Sequence, residues 1–360
     1  MYKNSSIAVV VPAYNEAAFI GDVLKSIPEY IDRIYVVDDG SADETWTEIE
    51  RTATRMNART DKGRDRVVPL QHEENRGVGA AIKTGYQRAH EERIHATAVM
   101  AGDGQMNPDE LKRFLDPIVE GRADYAKGNR LWRREHWQSM SRWRRFGNRL
   151  LTILTRISSG YWEMSDPQNG YTVISDRALE TIALDELYDD YGFANDILVH
   201  LNVYELCIVD VPHEAVYGDE ESGIRYDTFV PHLSILLFRD FLWRLKKKYL
   251  TVSLHPIALC YALGAAGTVS SVFKGLSSVR SRYTGNENRN NRVDGIVLLF
   301  LSSLFFILAV LFDMRESEGL VLQVDDDVSH IDSTNDGEPS RDETDEHDLP
   351  GTNHQVGGDD

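Results

Sequence analysis

With 360 residues, the chain is long enough for one large domain or two ordinary ones, with a sizeable core. A net charge of −19 argues against nucleic acid, which asks for a basic footprint. Two distant cysteines, Cys207 and Cys260, are too few for a disulfide framework or a zinc cluster and are expected to be buried free thiols.

The N-terminus enters a strand-like run directly, with no basic leader or cleavage site, so a cleaved secretory signal is not expected. Residues 7–12 (IAVVVP) read as a β-branched strand bounded by Pro12. Asn15 and Glu16 then open a helical pattern with Phe19, Ile20, Val23, Leu24 and Ile27 on one face, stopping at Pro28. A second strand, 34–37, runs into Asp38-Asp39-Gly40-Ser41, where Ser41 is placed to cap a helix near Asp43 with Glu44 as its capping-box partner. A third strand, 67–70, leads through Asn75-Arg76-Gly77 into a helix over 78–89. A fourth, 96–100, meets Gly102-Asp103-Gly104. Strands alternating with helices predict an α/β fold with a doubly wound, mainly parallel sheet. Ligands of such sheets lie beyond the carboxyl ends of the strands, so the loops 12–16, 38–41, 75–77 and 101–105 are expected to converge on one crevice.

Beyond about residue 125 the pattern changes. The segment 131–154 mixes Trp132, Trp137 and Trp143 with a dense set of arginines, which suits a bilayer interface or an anionic ligand, or else a charged surface helix. Two apolar stretches, 252–273 and 295–314, each approach the ~20 residues of a membrane-spanning helix, the second carrying one charge, Asp313, near its end. His255 and Pro256 leave an interfacial or re-entrant course open for the first. From 323 to 360 thirteen Asp/Glu face a single Arg341, and that tail has too little apolar surface to fold; it is either a solvated tail or an interaction segment. The organisation expected is a catalytic domain over 1–230, a juxtamembrane segment over 231–251, two transmembrane helices with their loop over 252–314, and a disordered acidic tail over 315–360. Five Lys/Arg on each side of the first span leave the orientation undecided by charge, and two spans put domain and tail on the same side.

Paired carboxylates at Asp38 and Asp39, at a strand end, suit hydrogen bonding to a base or ribose. Alone, DDGS is a common turn; its spacing from VPAYNE favours the binding reading. A single carboxylate at Asp103 is enough to hold a divalent cation that is also bound by phosphate oxygens, and Gly102 and Gly104 let the backbone come close to sugar and phosphates. GDG alone is equally a tight turn. Asp196, in YGFANDILVHL, is a general base, an acceptor-binding group, or a carboxylate favoured by a helix start. His72, His200 and His213 show no ligand spacing.

The combined motifs VPAYNE, VDDGS, NRGVGAAIKTG, GDGQMNP, KGNR, DPQNGY and YGDEESG resemble family 2 glycosyltransferases of the GT-A fold, over residues 6–226. The nearest pattern is the dolichol-phosphate-mannose synthase-like, polyprenyl-phosphate branch, in which a membrane hairpin is a common appendage. The resemblance implies that Pro12, Tyr14 and Glu16 line a nucleotide pocket and that Asp39 recognises base or ribose. It implies that Asp103, helped by Gln105, coordinates Mg²⁺ or Mn²⁺, and that Arg130 holds a lipid phosphate, with Asn169-Gly170-Tyr171 on the acceptor side. Three departures stand out. Ala101 replaces the first carboxylate of the family's DxD, Asn129 replaces a serine, and Arg225 stands near the position of a phosphate-binding lysine. The activity implied is inverting transfer from a nucleotide-diphosphate sugar to polyprenyl or dolichyl phosphate at a bilayer, for glycan assembly. Alternatives are extension of a lipid-linked oligosaccharide, which needs Asp196 as base, or a non-catalytic nucleotide-sugar-binding homologue. A processive polysaccharide synthase is disfavoured, because no QxxRW-type signature follows Asp196 and two spans are few for a channel.

Overall fold

A computed structural model describes residues 1–59, 63–130, 132, 142–213, 226–251, 255–283 and 289–323. The first half alternates as expected: β1 (Ile7–Ala13), α1 (Ile20–Ser26), β2 (Arg33–Asp38), α2 (Thr45–Asn57), β3 (Val67–Gln71), α3 (Val78–Glu91) and β4 (Ala96–Val99). There follow α4 (Leu111–Val119), β5 (Tyr125–Asn129), α5 (Arg142–Ser159), β6 (Thr172–Ser175), α6 (Asp176–Thr181), α7 (Phe193–Val203) and β7 (Ile208–Pro212). Last come α8 (Tyr226–Arg244), a π-helical turn at Leu245–Leu250, α9 (Pro256–Tyr283), α10 (Arg289–Glu316) and β8 (Val321–Gln323).

One eight-stranded sheet runs β3-β2-β1-β4-β6-β5-β7-β8. All neighbours are parallel except β6, which lies antiparallel between β4 and β5. Helices cover both faces, so the central strands must be apolar on both sides. On β1, Ile7, Val9 and Val11 join one core with α1, α2 and α4, while Ala8 and Val10 join a second core with α3 and α7. Pro69 is tolerated inside β3 because β3 is an edge strand.

Helix α9 holds the first apolar stretch from Pro256 onward, and α10 holds the second. Their spans, Pro256–Arg280 and Val293–Glu316, are long and apolar enough to cross a membrane, with mean hydropathies of 1.5 and 2.8. The first starts at Pro256, a residue well suited to a helix's first position. Phe273 and Phe300 point outward with three-quarters of their surface exposed, while Ser271 donates to the Gly295 carbonyl at 2.7 Å between the helices. At the other end of the hairpin Asp313 of α10 meets the fully buried Arg244 of α8, with its two oxygens 2.8 and 2.9 Å from the guanidinium. Tyr249 donates a further bond to Asp313 at 2.8 Å, and Arg244 reaches back to the Ile157 and Ser158 carbonyls at the end of α5.

The acidic tail does not begin at 315. α10 runs to Glu316, and Val321–Gln323 adds β8 to the sheet, Ile208 pairing with Val321 in parallel register. A three-residue strand is below what hydrophobic periodicity can reveal. The stretch of the tail from 324 to 360 lies outside the described residues, as do 217–223, Arg225, Trp137 and 252–254. Cys207 and Cys260 are free thiols, half-buried rather than buried.

Candidate active site

The loops after β1, β2 and β4 are stitched together by their own backbone. Asn15 takes a left-handed conformation (φ 58°) that its short polar side chain tolerates. Its amide donates to the Ser41 hydroxyl at 2.9 Å, and its side-chain oxygen accepts from the Ala42 amide at 2.9 Å. The Glu16 amide bonds the Thr45 hydroxyl at 2.8 Å, and the Asp39 amide bonds the Ala13 carbonyl at 2.9 Å. Gly102 donates to the Pro12 carbonyl at 3.2 Å, tying in the third loop. Tyr14, 46 % exposed, stands at the open side beside the half-buried Glu16. Ser41 is thereby used in the turn: it bonds Asp38 and Asn15, and α2 starts at Thr45 without a side-chain cap.

Asp38 and Asp39 are both buried. Asp38 accepts from Ser41 and from the Gln71 amide at 3.1 Å. The Asp39 carboxylate accepts from the His72 ring at 2.7 Å, from the Arg76 amide at 3.0 Å and from the Gly77 amide at 2.8 Å. Its observed task is to anchor the Asn75-Arg76-Gly77 loop. His72, bridged onward to Thr84 at 2.9 Å, supports this anchor. Gly77 has φ +99°, and a Cβ there would sit 2.5 Å from the Asp189 carbonyl, so the loop 188–190 closes directly over the start of α3. The Ala80 amide donates to that same carbonyl at 2.9 Å. The glycines of NRGVG thus serve chain packing, a role the sequence did not disclose.

Asp103 is half-buried at the end of β4, and one of its oxygens accepts the Gln105 amide at 3.0 Å. Ala101 leaves no neighbouring carboxylate, and among the described residues no three His, Cys, Asp or Glu side chains gather as a metal site. A single hard oxygen ligand at a strand end fits a divalent cation held mainly by phosphate oxygens and water, as Mg²⁺ is held. It does not fit a cation caged by protein alone. Gly102 is buried, and a Cβ there would lie 3.2 Å from the Pro12 carbonyl and 3.3 Å from Ile20, so its closest approach is to β1.

A second cluster is built on the ends of β5 and β7. Lys127 and Asp210 form a fully buried ion pair at 2.8 Å. The Lys127 ammonium also donates to the Ser165 carbonyl, and Asp210 accepts the Ser165 amide at 2.6 Å. This pair pins the start of the loop that carries DPQNGY. Arg130, 38 % exposed, is held by Asp166: its backbone amide, Nε and Nη2 donate to that carboxylate at 3.1, 2.8 and 3.1 Å. Asn169 donates to Asp166 at 3.1 Å and to His213 at 2.8 Å. A Cβ on Gly128 would meet His213 Nε2 at 2.5 Å, which explains the glycine of KGNR. Burial alone would raise the Asp166 pKa; the charges of Arg130 and Lys127 and the bonds to Arg130 and Asn169 outweigh it and hold it at about 2. Tyr171 stacks on Phe114 at 4.3 Å and donates to the Asn107 carbonyl at 3.0 Å, so this loop is tied to the one that follows Asp103.

Asp196 is tied to the loop 188–190. It is 2 % exposed on α7 and accepts the Tyr188 amide at 2.7 Å. It is paired with Asp240 of α8, and burial pushes both carboxyls up, Asp196 pushing Asp240 further. His200 stacks on Trp243 one turn away.

Residues 8–183 match the model of the family described as Glycosyl transferase family 2. The chain is 28 % identical to a UDP-N-acetylglucosamine–dolichyl-phosphate N-acetylglucosaminyltransferase of Methanococcus voltae, covering 59 % of this chain and 86 % of that protein. It is 30 % identical to an uncharacterized protein of Methanocaldococcus jannaschii, over 60 % of this chain and 84 % of that one. It is 32 % identical to a polyprenol monophosphomannose synthase of Mycolicibacterium smegmatis, over 34 % and 44 % of the two chains. In fold it is similar to a glucosyl-3-phosphoglycerate synthase of Mycobacterium tuberculosis, solved with Mn²⁺, UDP and phosphoglyceric acid, with a TM-score of 0.50 at 17 % identity over 67 % of this chain and 78 % of that one. With a GT-A-like sheet, stitched loops at its carboxyl edge and these relatives, the chain belongs to glycosyltransferase family 2 and is a glycosyltransferase.

Proposed function

We propose that this glycosyltransferase moves a sugar from a nucleotide-diphosphate sugar to a polyprenyl or dolichyl phosphate at a membrane surface. The observation that carries the reading is Arg130, held at the end of β5 beside the loop tied to Asp103, in a chain whose next long helices are apolar enough to span a bilayer. Two relatives named for transfer to a dolichyl or polyprenol phosphate support it.

On this reading the donor's nucleotide lies along Tyr14 and Glu16, with Pro12 beneath, while Asp38 and Asp39 hold the wall's shape and Asp39 faces base or ribose. Asp103, with Gln105, would hold Mg²⁺ or Mn²⁺, and such a cation, when bound, would neutralise charge on the leaving diphosphate. Arg130, and Arg225 from outside the described residues, hold the acceptor phosphate by charge-assisted hydrogen bonds. A phosphate oxygen attacks the anomeric carbon as the bond to the diphosphate breaks, and the electron pair leaves with the nucleoside diphosphate. The configuration inverts in this single displacement.

A lipid phosphate is already ionised at neutral pH and needs no general base. A sugar hydroxyl on a lipid-linked glycan would need one, and Asp196 is engaged with the Tyr188 amide and Asp240 instead. The arrangement therefore favours the phosphate acceptor. A donor of the kind found in the cytoplasm supports a cytoplasmic side for domain and tail. Full-length protein in membranes, given labelled nucleotide sugars and polyprenyl phosphate, is expected to yield a polyprenyl-phosphate sugar; labelling only of longer lipid-linked glycans would refute the phosphate acceptor.

A further inference from the structure

Asp166 has a backbone that a side chain seldom adopts. Its φ is +40°, in the left-handed region where Asp and Asn are the tolerated non-glycine residues. Its side chain is almost fully buried, and that burial is offset by four donors: the Arg130 amide, Nε and Nη2, and the Asn169 amide. Three of the four belong to one residue, whose guanidinium remains 38 % exposed. The strained turn is itself braced from below by the Lys127–Asp210 pair through Ser165, immediately before it. Backbone strain that a surrounding network over-determines is common at ligand clamps.

Resting on the reading of Arg130 as the group that meets the acceptor phosphate, we propose that Asp166 is a positioning residue for that phosphate. It grips the Nε–Nη2 edge and the backbone amide of Arg130, fixing the plane of the guanidinium and the place where it meets the ligand. A flexible arginine loses rotamer freedom on each binding event, whereas one already locked by a carboxylate has lost it beforehand. The Asp166 carboxylate stays ionised far below neutral pH, so the grip is present throughout the working range. Its second effect is on charge. The pair Arg130–Asp166 and the pair Lys127–Asp210 are each neutral, so these two pairs add donor geometry rather than surplus positive charge.

The test is a double-mutant cycle on the full chain in detergent, with farnesyl phosphate as the probe. Asp166→Asn keeps the shape and tolerates the positive φ, so it leaves the backbone in place; Asp166→Gly does the same and serves if the Asn variant fails to fold. Asp166→Asn alone is expected to weaken farnesyl phosphate binding by about 10-fold, the scale of one charge-assisted hydrogen bond. In an Arg130→Gln background it is expected to add less than about 2-fold, since coupled residues are non-additive. Binding of UDP or GDP, whichever the wild type takes, should stay unchanged, a readout that a general structural role would move. Additive losses, or equal losses of nucleotide binding, would overturn the proposal alone. A wild type that binds nucleotide but no farnesyl phosphate would overturn the acceptor reading and the proposal with it.

Discussion

Asp103 is the carboxylate on which the proposed donor end turns, because Ala101 stands where its usual neighbour would be and only the Gln105 amide occupies it in the described bonds. Asp103→Asn is expected to lower turnover by about 10³-fold or more, the loss of several kcal/mol of leaving-group stabilisation, in initial rates at saturating Mg²⁺ or Mn²⁺. Near-normal rates would remove Asp103 from the metal. Three other carboxyls set opposite pH dependences. Asp166 has its pKa lowered to about 2, so its stabilising contribution is full above the ordinary aspartate value near 4 and is lost as pH falls through 2. Burial raises both members of the Asp196–Asp240 pair, and Asp196 raises Asp240 further, so the fold is favoured below the ordinary aspartate value near 4 and loses stability as pH rises toward neutrality. Asp240→Asn is therefore expected to melt above the wild type at pH 8 and level with it at pH 4. Thermal melts across that range check it, and an unchanged difference would mean the pair shares no proton.

At the scale of elements, Gly77→Ala should cost about 1–3 kcal/mol in urea unfolding, for a strained φ and a collision with the Asp189 carbonyl. The first four strands were legible because each is an apolar run between turn residues, and so was the meeting of the loops behind them. The later strands were not. β6 has four residues, and its antiparallel place between β4 and β5 depends on partners far along the chain. The tight turns were read correctly as turns but not for what they hold. Asp39 looked like a ligand carboxylate, and the structure gives it three protein donors; Asp166 lay unremarked inside DPQNGY although it grips Arg130. A sequence shows which residues have carboxylates but not which donors fold onto them: those at Asp39 come from His72, Arg76 and Gly77, 33, 37 and 38 positions away.

Across the whole molecule the catalytic sheet and the apolar hairpin are one piece of chain architecture. The chain leaves the sheet after β7, passes through α8 to α10, and returns as β8 beside β7. Truncation after Gln323 should therefore leave the melting transition in place, while truncation after Glu316 removes β8 and lowers it. Exposed Ile235, Phe238 and Leu242 form an i, i+3, i+7 stripe on α8, opposite Leu233, Leu236 and Leu237 on its buried side. Arg244 and Asp313 then join α8 to α10. Removing either partner alone strands a buried charge, so Asp313→Leu is expected to cost about 3–5 kcal/mol, whereas Arg244→Met with Asp313→Leu should be close to neutral.

The claim that a sugar passes from a nucleotide diphosphate to a lipid phosphate is tested most directly by product analysis. Purified full-length protein would be incubated with polyprenyl phosphate and, in turn, GDP-mannose, UDP-glucose and UDP-N-acetyl sugars, with lipid products identified by mass spectrometry. One donor is expected to give a polyprenyl-phosphate monosaccharide in wild-type protein and none in Asp103→Asn. A full set of donors that bind yet yield no lipid-phosphate sugar, or a product that persists undiminished in Asp103→Asn, would contradict it.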